Sequence, residues 1–281
     1  MQMKCLSSLA IFLLIAPFVI AQRGHIGLFG GAAAYSGDLT SSVFPRKVTN
    51  GAVGVTYNYE ISDLVTLRSG FTYSIVGGAD RYNEKPTLFL RNLSFETRIF
   101  EFSMVGEYYL LNLNYSHYSP YVFGGLSVFK FNPYAYDLDG QKIFLQPLST
   151  EGQGLSGYPN SKPYSLTQLA IPIGGGVKFV VNDKLRVGAE IGLRKLFTDY
   201  FDDVSTLYID PADLLAAKGQ VAVDISYRGD EVDGGSPFYP GKGEKRGNPK
   251  NRDYYYFAGL HVTYRLVPRP KIYTGCPVNV Y

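Results

Sequence analysis

Residues 254–266 have the sequence YYYFAGLHVTYRL, in which successive side chains alternate between two faces. One face is apolar and has tyrosines at both ends: Tyr254, Tyr256, Ala258, Leu260, Val262, Tyr264 and Leu266. The other face becomes small or polar in its second half: Tyr255, Phe257, Gly259, His261, Thr263 and Arg265. A period of two predicts a β-strand, and roughly 12 residues are enough for a strand to cross a membrane. Because aromatic side chains favour membrane–water interfaces, the stretch predicts the closing strand of a transmembrane β-barrel.

The composition favours the same fold. The chain has 281 residues, of which 24 are Tyr, 18 are Phe and 31 are Gly, with no Trp. Aromatic residues and glycine suit interface girdles and close packing inside a small barrel. The sequence after residue 21 contains no run of about 18 consecutive apolar residues, so it predicts no transmembrane helix.

Residues 1–21 have the pattern of a signal peptide. Lys4 supplies the positive charge, residues 9–20 form the apolar core, and Val19 and Ala21 fit the small-residue cleavage rule. The alternative, a stop-transfer anchor, is disfavoured because the apolar core is short. We therefore expect export, with a mature chain that begins at Gln22.

Charge and cysteine content limit the partners. Without Lys4, 26 basic and 24 acidic side chains remain, and this net charge of +2 is too small to predict nucleic-acid binding. Cys5 is lost with the signal peptide, so Cys276 has no partner for an intramolecular disulfide.

Seven more alternating stretches precede the closing strand: residues 25–35, 51–61, 64–76, 95–110, 118–131, 166–181 and 185–197. Residues 118–131 are apolar on both faces, so the pattern leaves their register open, and Pro172 predicts a bulge or a locally broken pairing. The longest connection contains a predicted helix, Pro211–Lys218, capped by Asp210 and Gly219.

The connections between these strands are alternately long and short. This pattern predicts an all-β, eight-stranded antiparallel outer-membrane barrel, with four long external loops and both termini in the periplasm. Residues 22–267 form the predicted barrel, and residues 268–281 form a periplasmic tail. A soluble β-sandwich is the alternative, but the strands are long and their charges lie on one face.

The predicted inner face carries charges of both signs: Glu60, Arg68, Glu101, Glu107, Lys178, Arg186, Glu190, Arg194 and Arg265. Arg or Lys facing lipid costs roughly 2–4 kcal/mol at the bilayer midplane, so these groups belong inside. An eight-stranded barrel has room for little more than side chains, and buried charges must pair. We therefore expect an interior ion-pair plug, with no open pore.

Catalytic and metal chemistry are disfavoured. His25 and His117 fall at the periplasmic end and His261 inside, so the long loops contain no His for a Ser-His hydrolase. The acidic residues Asp202, Asp203, Asp210 and Asp213 lack EF-hand spacing, which favours a solvated acidic loop over a calcium site. We expect no enzyme, cofactor, metal or small-molecule substrate. Residues 242–252 are basic and form a predicted solvated loop, with lipopolysaccharide phosphates as a further contact alongside outer-membrane lipids.

Five short motifs remain: YSGDL at 35–39, SPYVFGG at 119–125, DDVS at 202–205 with Tyr208, RGN at 246–248 before DYY at 253–255, and CP at 276–277. Because it carries these motifs in this order, the chain resembles the PorG-like outer-membrane barrels of Bacteroidota, which are associated with the type IX secretion system. The resemblance spans nearly all of the mature chain. It implies a barrel that links the outer membrane to the periplasmic ring of the secretion and gliding machinery, and it implies no catalytic residues.

Two hypotheses follow for the function. The first is a structural secretion barrel that contacts periplasmic ring proteins through Cys276, Asp63, His117 and Asp183. Cys276 is either a free thiol or half of an intermolecular disulfide. The second is a general OmpA-like structural barrel or an adhesin that acts through its surface loops. A lipid-modifying enzyme ranks third because the loops lack His.

Overall fold

Eight long strands make up the body of the molecule. The computed structural model describes residues 23–40, 48–83, 85–250 and 252–267. In chain order the strands are Gly24–Ser36 (β1), Asn50–Glu60 (β2), Val65–Ala79 (β3), Ser94–Tyr109 (β4), Tyr118–Lys130 (β5), Tyr134–Tyr136 (β6), Lys142–Phe144 (β7), Thr167–Val180 (β8), Leu185–Leu196 (β9) and Tyr254–Arg265 (β10). The short strands β6 and β7 form a hairpin in the third long loop. The predicted signal peptide and the tail with Cys276 lie outside the described residues.

The long strands form one closed antiparallel ring in the order β1–β2–β3–β4–β5–β8–β9–β10. The ring closes where β1 pairs with β10, from His25 opposite Arg265 to Ser36 opposite Tyr254. Closure removes the open sheet edges that would otherwise expose unpaired backbone groups. The predicted eight-stranded antiparallel barrel is confirmed, and the soluble sandwich is wrong. No helix in the described ranges is long and apolar enough to cross a membrane.

The outward face of the barrel is apolar and exposed. Leu126 and Phe71 are 64% and 63% exposed, and other outward side chains are exposed over at least half of their surface: Ile26, Leu28, Val53, Val55, Leu169, Ile173 and Leu260. Soluble proteins rarely expose apolar patches larger than a few hundred Å². A band of this kind around a closed barrel is the surface that lipid covers.

The structure settles the register of β5. Ser119, Tyr121, Phe123, Ser127 and Phe129 are buried inside the barrel, whereas Val122, Leu126 and Val128 face outward. The pairing with β8 stops after Gly124 opposite Ile173 and resumes in the same register at Ser127 opposite Ala170. Pro172 therefore interrupts the ladder without a bulge, because it cannot donate a hydrogen bond to β5.

The long loops contain more regular structure than the sequence predicted. The helix Pro211–Lys218 is present, and the side chain of Asp210 accepts a hydrogen bond from the backbone N–H of Ala212 at 2.9 Å. Pro86–Phe89 and Gln220–Ser226 form two further helices, which the sequence analysis missed. In chain order these helices are α1 (Pro86–Phe89), α2 (Pro211–Lys218) and α3 (Gln220–Ser226). α3 has no side-chain cap and is held by the burial of Ala222 and Ile225.

Candidate functional site

Nine charged side chains project into the barrel. All nine predicted interior residues are at most 9% exposed, and each has an oppositely charged partner within 4 Å. They form three groups along the barrel axis, which together contain five cations and four carboxylates. Paired in this way, they avoid much of the cost of isolated buried charges.

The lowest group lies at the end of the barrel that carries the short turns, called here the short-turn end. Both carboxylate oxygens of Glu60 accept hydrogen bonds from Arg265 at 2.9 Å. Arg186 lies 2.7 Å from the same carboxylate, and His25 lies 3.2 Å from it. These contacts join strands β1, β2, β9 and β10.

The middle group is centred on Arg68. Its guanidinium donates to Glu190 at 2.6 Å and lies 3.2 Å from Glu107, which also pairs with Lys178 at 2.9 Å. His261 lies 3.0 Å from Glu190. Arg68 is on β3 and Glu190 on β9, which face each other across the eight-stranded ring. The ion pair therefore crosses the lumen at its centre.

The upper group is centred on Glu101. Its carboxylate lies 3.3 Å from Arg194 and accepts a hydrogen bond from the hydroxyl of Tyr255, on the opposite strand β10. The guanidinium of Arg194 stacks 4.3 Å from the ring centre of Phe257. Side chains thus fill the barrel at this level as well, and they bind opposite walls together.

Above the upper group, the described parts of the four long loops form a structure that we call the outer cap. Tyr35, at the end of β1, has its hydroxyl within hydrogen-bond distance of the carboxyl groups of Asp202 and, at 3.0 Å, of Asp253. Asp253 also accepts the backbone N–H of Phe201 at 3.0 Å. The ring of Tyr35 is fully buried and contacts Phe95 and Phe201.

Arg246 links two loops within the outer cap. It is 3% exposed and donates to Glu151 at 3.0 Å, while its guanidinium lies 3.7 Å from Asp203. Glu151 accepts the backbone N–H groups of Ser205 and Thr206, each at 2.9 Å. Since nearly all of these acceptors and donors are satisfied, the loops are fixed to one another by a buried polar network.

A second arginine fixes the remaining two loops. Arg91 donates to both carboxylate oxygens of Asp80, at 2.6 and 2.8 Å, and to the carbonyl of Asp38 at 3.1 Å. The side chain of Asp38 in turn accepts the backbone N–H of Asn248. The outer cap is therefore one connected structure with contributions from all four long loops.

The structure corrects the prediction of solvated loops. Asp202, Asp203 and Arg246 are buried and hydrogen-bonded, because burial of aromatic side chains draws these segments over the barrel mouth. Three of the five motifs behind the family resemblance meet in the outer cap, at residues 35–39, 202–208 and 246–255. The motif at 119–125 opens β5 at the other end. The sequence did not predict that Tyr35, Arg91, Glu151 and Arg246 make the hydrogen bonds that hold the cap together. Its only indication was that these residues lie in the motifs or in polar loops.

The predicted partner-contact residues lie at the short-turn end. Asp63 is exposed in the turn between β2 and β3 and accepts a hydrogen bond from Asn114 at 2.9 Å. His117 and Asp183 line a cleft of about 220 Å³ whose rim includes the exposed Tyr115. In the described part of the chain, no group of three or more His, Cys, Asp or Glu side chains is placed to hold a metal ion.

Burial gives the outer cap a pH dependence. It raises the pKa of Asp199 to about 7 and that of Asp203 to about 6, even though Arg246 beside Asp203 acts in the opposite direction. Each folded-state pKa lies above the unfolded value near 4, so these groups stabilise the cap at low pH. This contribution is lost as pH rises through about 6 to 7.

We expect proteolysis of the cap loops to be slower at pH 5.5 than at pH 8, on the order of tenfold in half-life. Asp199→Asn should reduce the difference, because one of the titrating groups is gone. Asp213→Asn is the matched control, since Asp213 is an exposed acid in the same loop. Faster cleavage at pH 5.5 in the wild-type protein would contradict the assignment.

Comparisons with known proteins assign the family. Residues 4–146, just over half of the chain, match the family described as "Domain of unknown function (DUF6089)". The chain belongs to the DUF6089 family. A comparison with curated protein sequences finds no significant match.

Solved structures similar to this DUF6089 chain include other barrels. Neisserial surface protein A is 13% identical, with 86% of this chain and 97% of that one covered and a TM-score of 0.43. OprG, an outer membrane protein from Pseudomonas aeruginosa, is 11% identical, with 87% and 97% covered and a TM-score of 0.41. Ail from Yersinia pestis is 10% identical, with 86% and 97% covered and a TM-score of 0.39. At these identities the likeness concerns the general fold alone.

Proposed function

We propose that this protein is a non-enzymatic structural barrel of the bacterial outer membrane that is closed to transport. The observation that carries the proposal is the ion pair between Arg68 and Glu190, which joins opposite walls of the lumen at 2.6 Å. The lowest group, around Glu60, blocks the lumen below this ion pair, and the upper group, around Glu101, blocks it above. The exposed apolar band around a closed barrel supports the outer-membrane location.

We further propose that the barrel serves the type IX secretion and gliding machinery by anchoring a periplasmic ring complex. The support is the motif resemblance, together with the finding that three of its motifs build one structure. A barrel that conducts nothing is suited to a scaffold role, in which the contact surface matters and the lumen does not. The short-turn end is the proposed contact surface because it faces the periplasm and exposes 89% of Tyr115.

A photocrosslinking residue at Asp63, His117 or Asp183 tests the anchor in cells that have a type IX system. We expect each position to give an adduct with the same periplasmic ring protein. Asp139, exposed in the turn of the external hairpin β6–β7, is the matched control and should give none. The proposal would be contradicted by two results together. They are adducts from Asp139 alone, and normal secretion of type IX cargo in cells from which the gene for this protein has been deleted.

The alternative is a general OmpA-like structural barrel or an adhesin. It is favoured by two apolar side chains on the external loops, Leu138 and Phe238, which are 80% and 78% exposed. If Leu138→Ser with Phe238→Ser abolishes surface binding while cargo secretion is unchanged, the adhesin hypothesis is the better one.

A further inference from the structure

A basic cleft of about 750 Å³ opens at the rim of the outer cap. It lies between the first loop, the segment around α1 and the end of the last loop. Four exposed cations line it: Lys85, Lys245, Lys250 and Arg252. Across the described part of the chain, none of the four has an acidic partner within 4 Å.

The described residues that line the cleft carry an excess of positive charge. Among the described residues that line it, the one carboxylate is Asp38, whose side chain already accepts the backbone N–H of Asn248. Two further arginines of the lining, Arg91 and Arg246, are engaged with Asp80 and Glu151 and hold the floor in place. A concave site with an excess of one charge concentrates ions of the opposite sign.

A buried donor in the lining also lacks an acceptor. Asn83 lines the cleft and is 8% exposed, and its side-chain nitrogen has no hydrogen-bond partner among the described residues. Its carbonyl oxygen is used, since it accepts the backbone N–H of Lys85 at 3.4 Å. Buried polar groups are nearly always satisfied, so an unused amide N–H in the lining of a cleft that also has four exposed cations points to an anionic oxygen ligand.

The position of the cleft relates it to the membrane. Tyr254 lines it and is the first residue of β10, where it pairs with Ser36 at the outer end of the barrel. Tyrosines at strand ends mark the membrane–water interface. The cleft therefore opens at the level where lipid headgroups of the outer leaflet lie.

We propose that this cleft binds a phosphomonoester group, of the kind carried by phosphorylated outer-leaflet glycolipids. Lysine and arginine supply charge-assisted hydrogen bonds to the phosphate oxygens, and the Asn83 amide supplies a further donor. Binding would attach a loop structure to the lipid beside it. The inference is independent of the role in secretion.

The test uses the full protein in nanodiscs and compares three probes. They are diphosphorylated lipid A, the same lipid A after enzymatic dephosphorylation, and inorganic phosphate in solution. We expect diphosphorylated lipid A to bind at least tenfold more tightly than the dephosphorylated form. If inorganic phosphate binds as tightly, the source is a soluble phosphate and the anion site stands.

Variants separate the cleft from general surface charge. Lys245→Gln with Arg252→Gln should weaken binding at least tenfold, and Asn83→Ala, which changes no charge, should weaken it several-fold. Lys242→Gln removes an exposed charge outside the cleft lining and should change affinity less than twofold. Protease resistance of the cap verifies folding of each variant. The proposal would be overturned if both forms of lipid A bound with equal affinity and inorganic phosphate did not bind. It would also be overturned if all the variants changed the affinity for lipid A equally.

Discussion

Replacing Arg68 with Met is expected to destabilise the barrel by about 3–5 kcal/mol, the cost of breaking a buried ion pair by removing one partner. Arg68 contacts both Glu107 and Glu190. Its loss leaves Glu190 with His261 and the hydroxyl of Tyr121, and Glu107 with Lys178 and the hydroxyl of Tyr109. Met fills part of the volume but supplies no charge. The free energy of unfolding in lipid vesicles, measured by guanidinium titration, gives the difference.

Lys242→Met is the matched control. Lys242 lies 3.8 Å from Asp213 in a pair whose side chains are 59% and 53% exposed, so its loss should cost at most about 1 kcal/mol. Adding Glu190→Gln to Arg68→Met should recover part of the loss, because the two positions share one interaction. Equal effects of Arg68→Met and Lys242→Met would contradict the central ion-pair group. Large, stable conductance steps of the wild-type protein in planar bilayers would contradict the closed lumen.

Replacing Arg246 with Met is expected to release the outer cap while the barrel stays folded. The substitution leaves Glu151 buried without its cation and removes hydrogen bonds to the carbonyls of Asp203 and Ser226. The local cost is about 3–5 kcal/mol, which we expect to lower the protection of the cap and not that of the strands. Hydrogen exchange of residues 149–165 and 198–250, compared with β-strand amides, measures this.

Lys245→Met provides the comparison, since Lys245 is the exposed neighbour of Arg246 and makes no ion pair within the described residues. Its exchange pattern should match that of the wild-type protein. If Arg246→Met lowers the hydrogen-exchange protection of the strand amides as much as that of the loop amides, the cap and the barrel unfold as one unit. That result would contradict the expectation that the cap opens by itself.

The strands and the charged interior could be predicted because both follow from local patterns. A strand covered by lipid on one face repeats with a period of two, and a charged residue within the lipid-covered span must then occupy the other face. The same rule could not assign β5, where Tyr121, Phe123 and Phe129 fill the inside and the two faces are equally apolar. There, the neighbouring strands decide the register.

The outer cap could not be predicted because its contacts join distant residues. Tyr35 reaches Asp202 across 167 positions and Asp253 across 218. Loop segments have no periodicity that marks which side chains become buried, so the sequence alone predicts Asp202 and Asp203 in solvent. In fact, the loops bury them because aromatic side chains such as Phe201 fill the barrel mouth.

The hydrogen bond between Tyr35 and Asp253 has a consequence for the order of assembly. Tyr35 belongs to the first strand, and Asp253 directly precedes the last one, so the bond lies across the seam where the two strands meet. Tyr35 and Asp253 are brought together where β1 pairs with β10, so the bond requires the seam to be closed. A chain in which the seam is open would lack this bond, although contacts such as that between Arg246 and Glu151 do not cross the seam. The bond between Tyr35 and Asp253 is therefore a marker of a closed barrel.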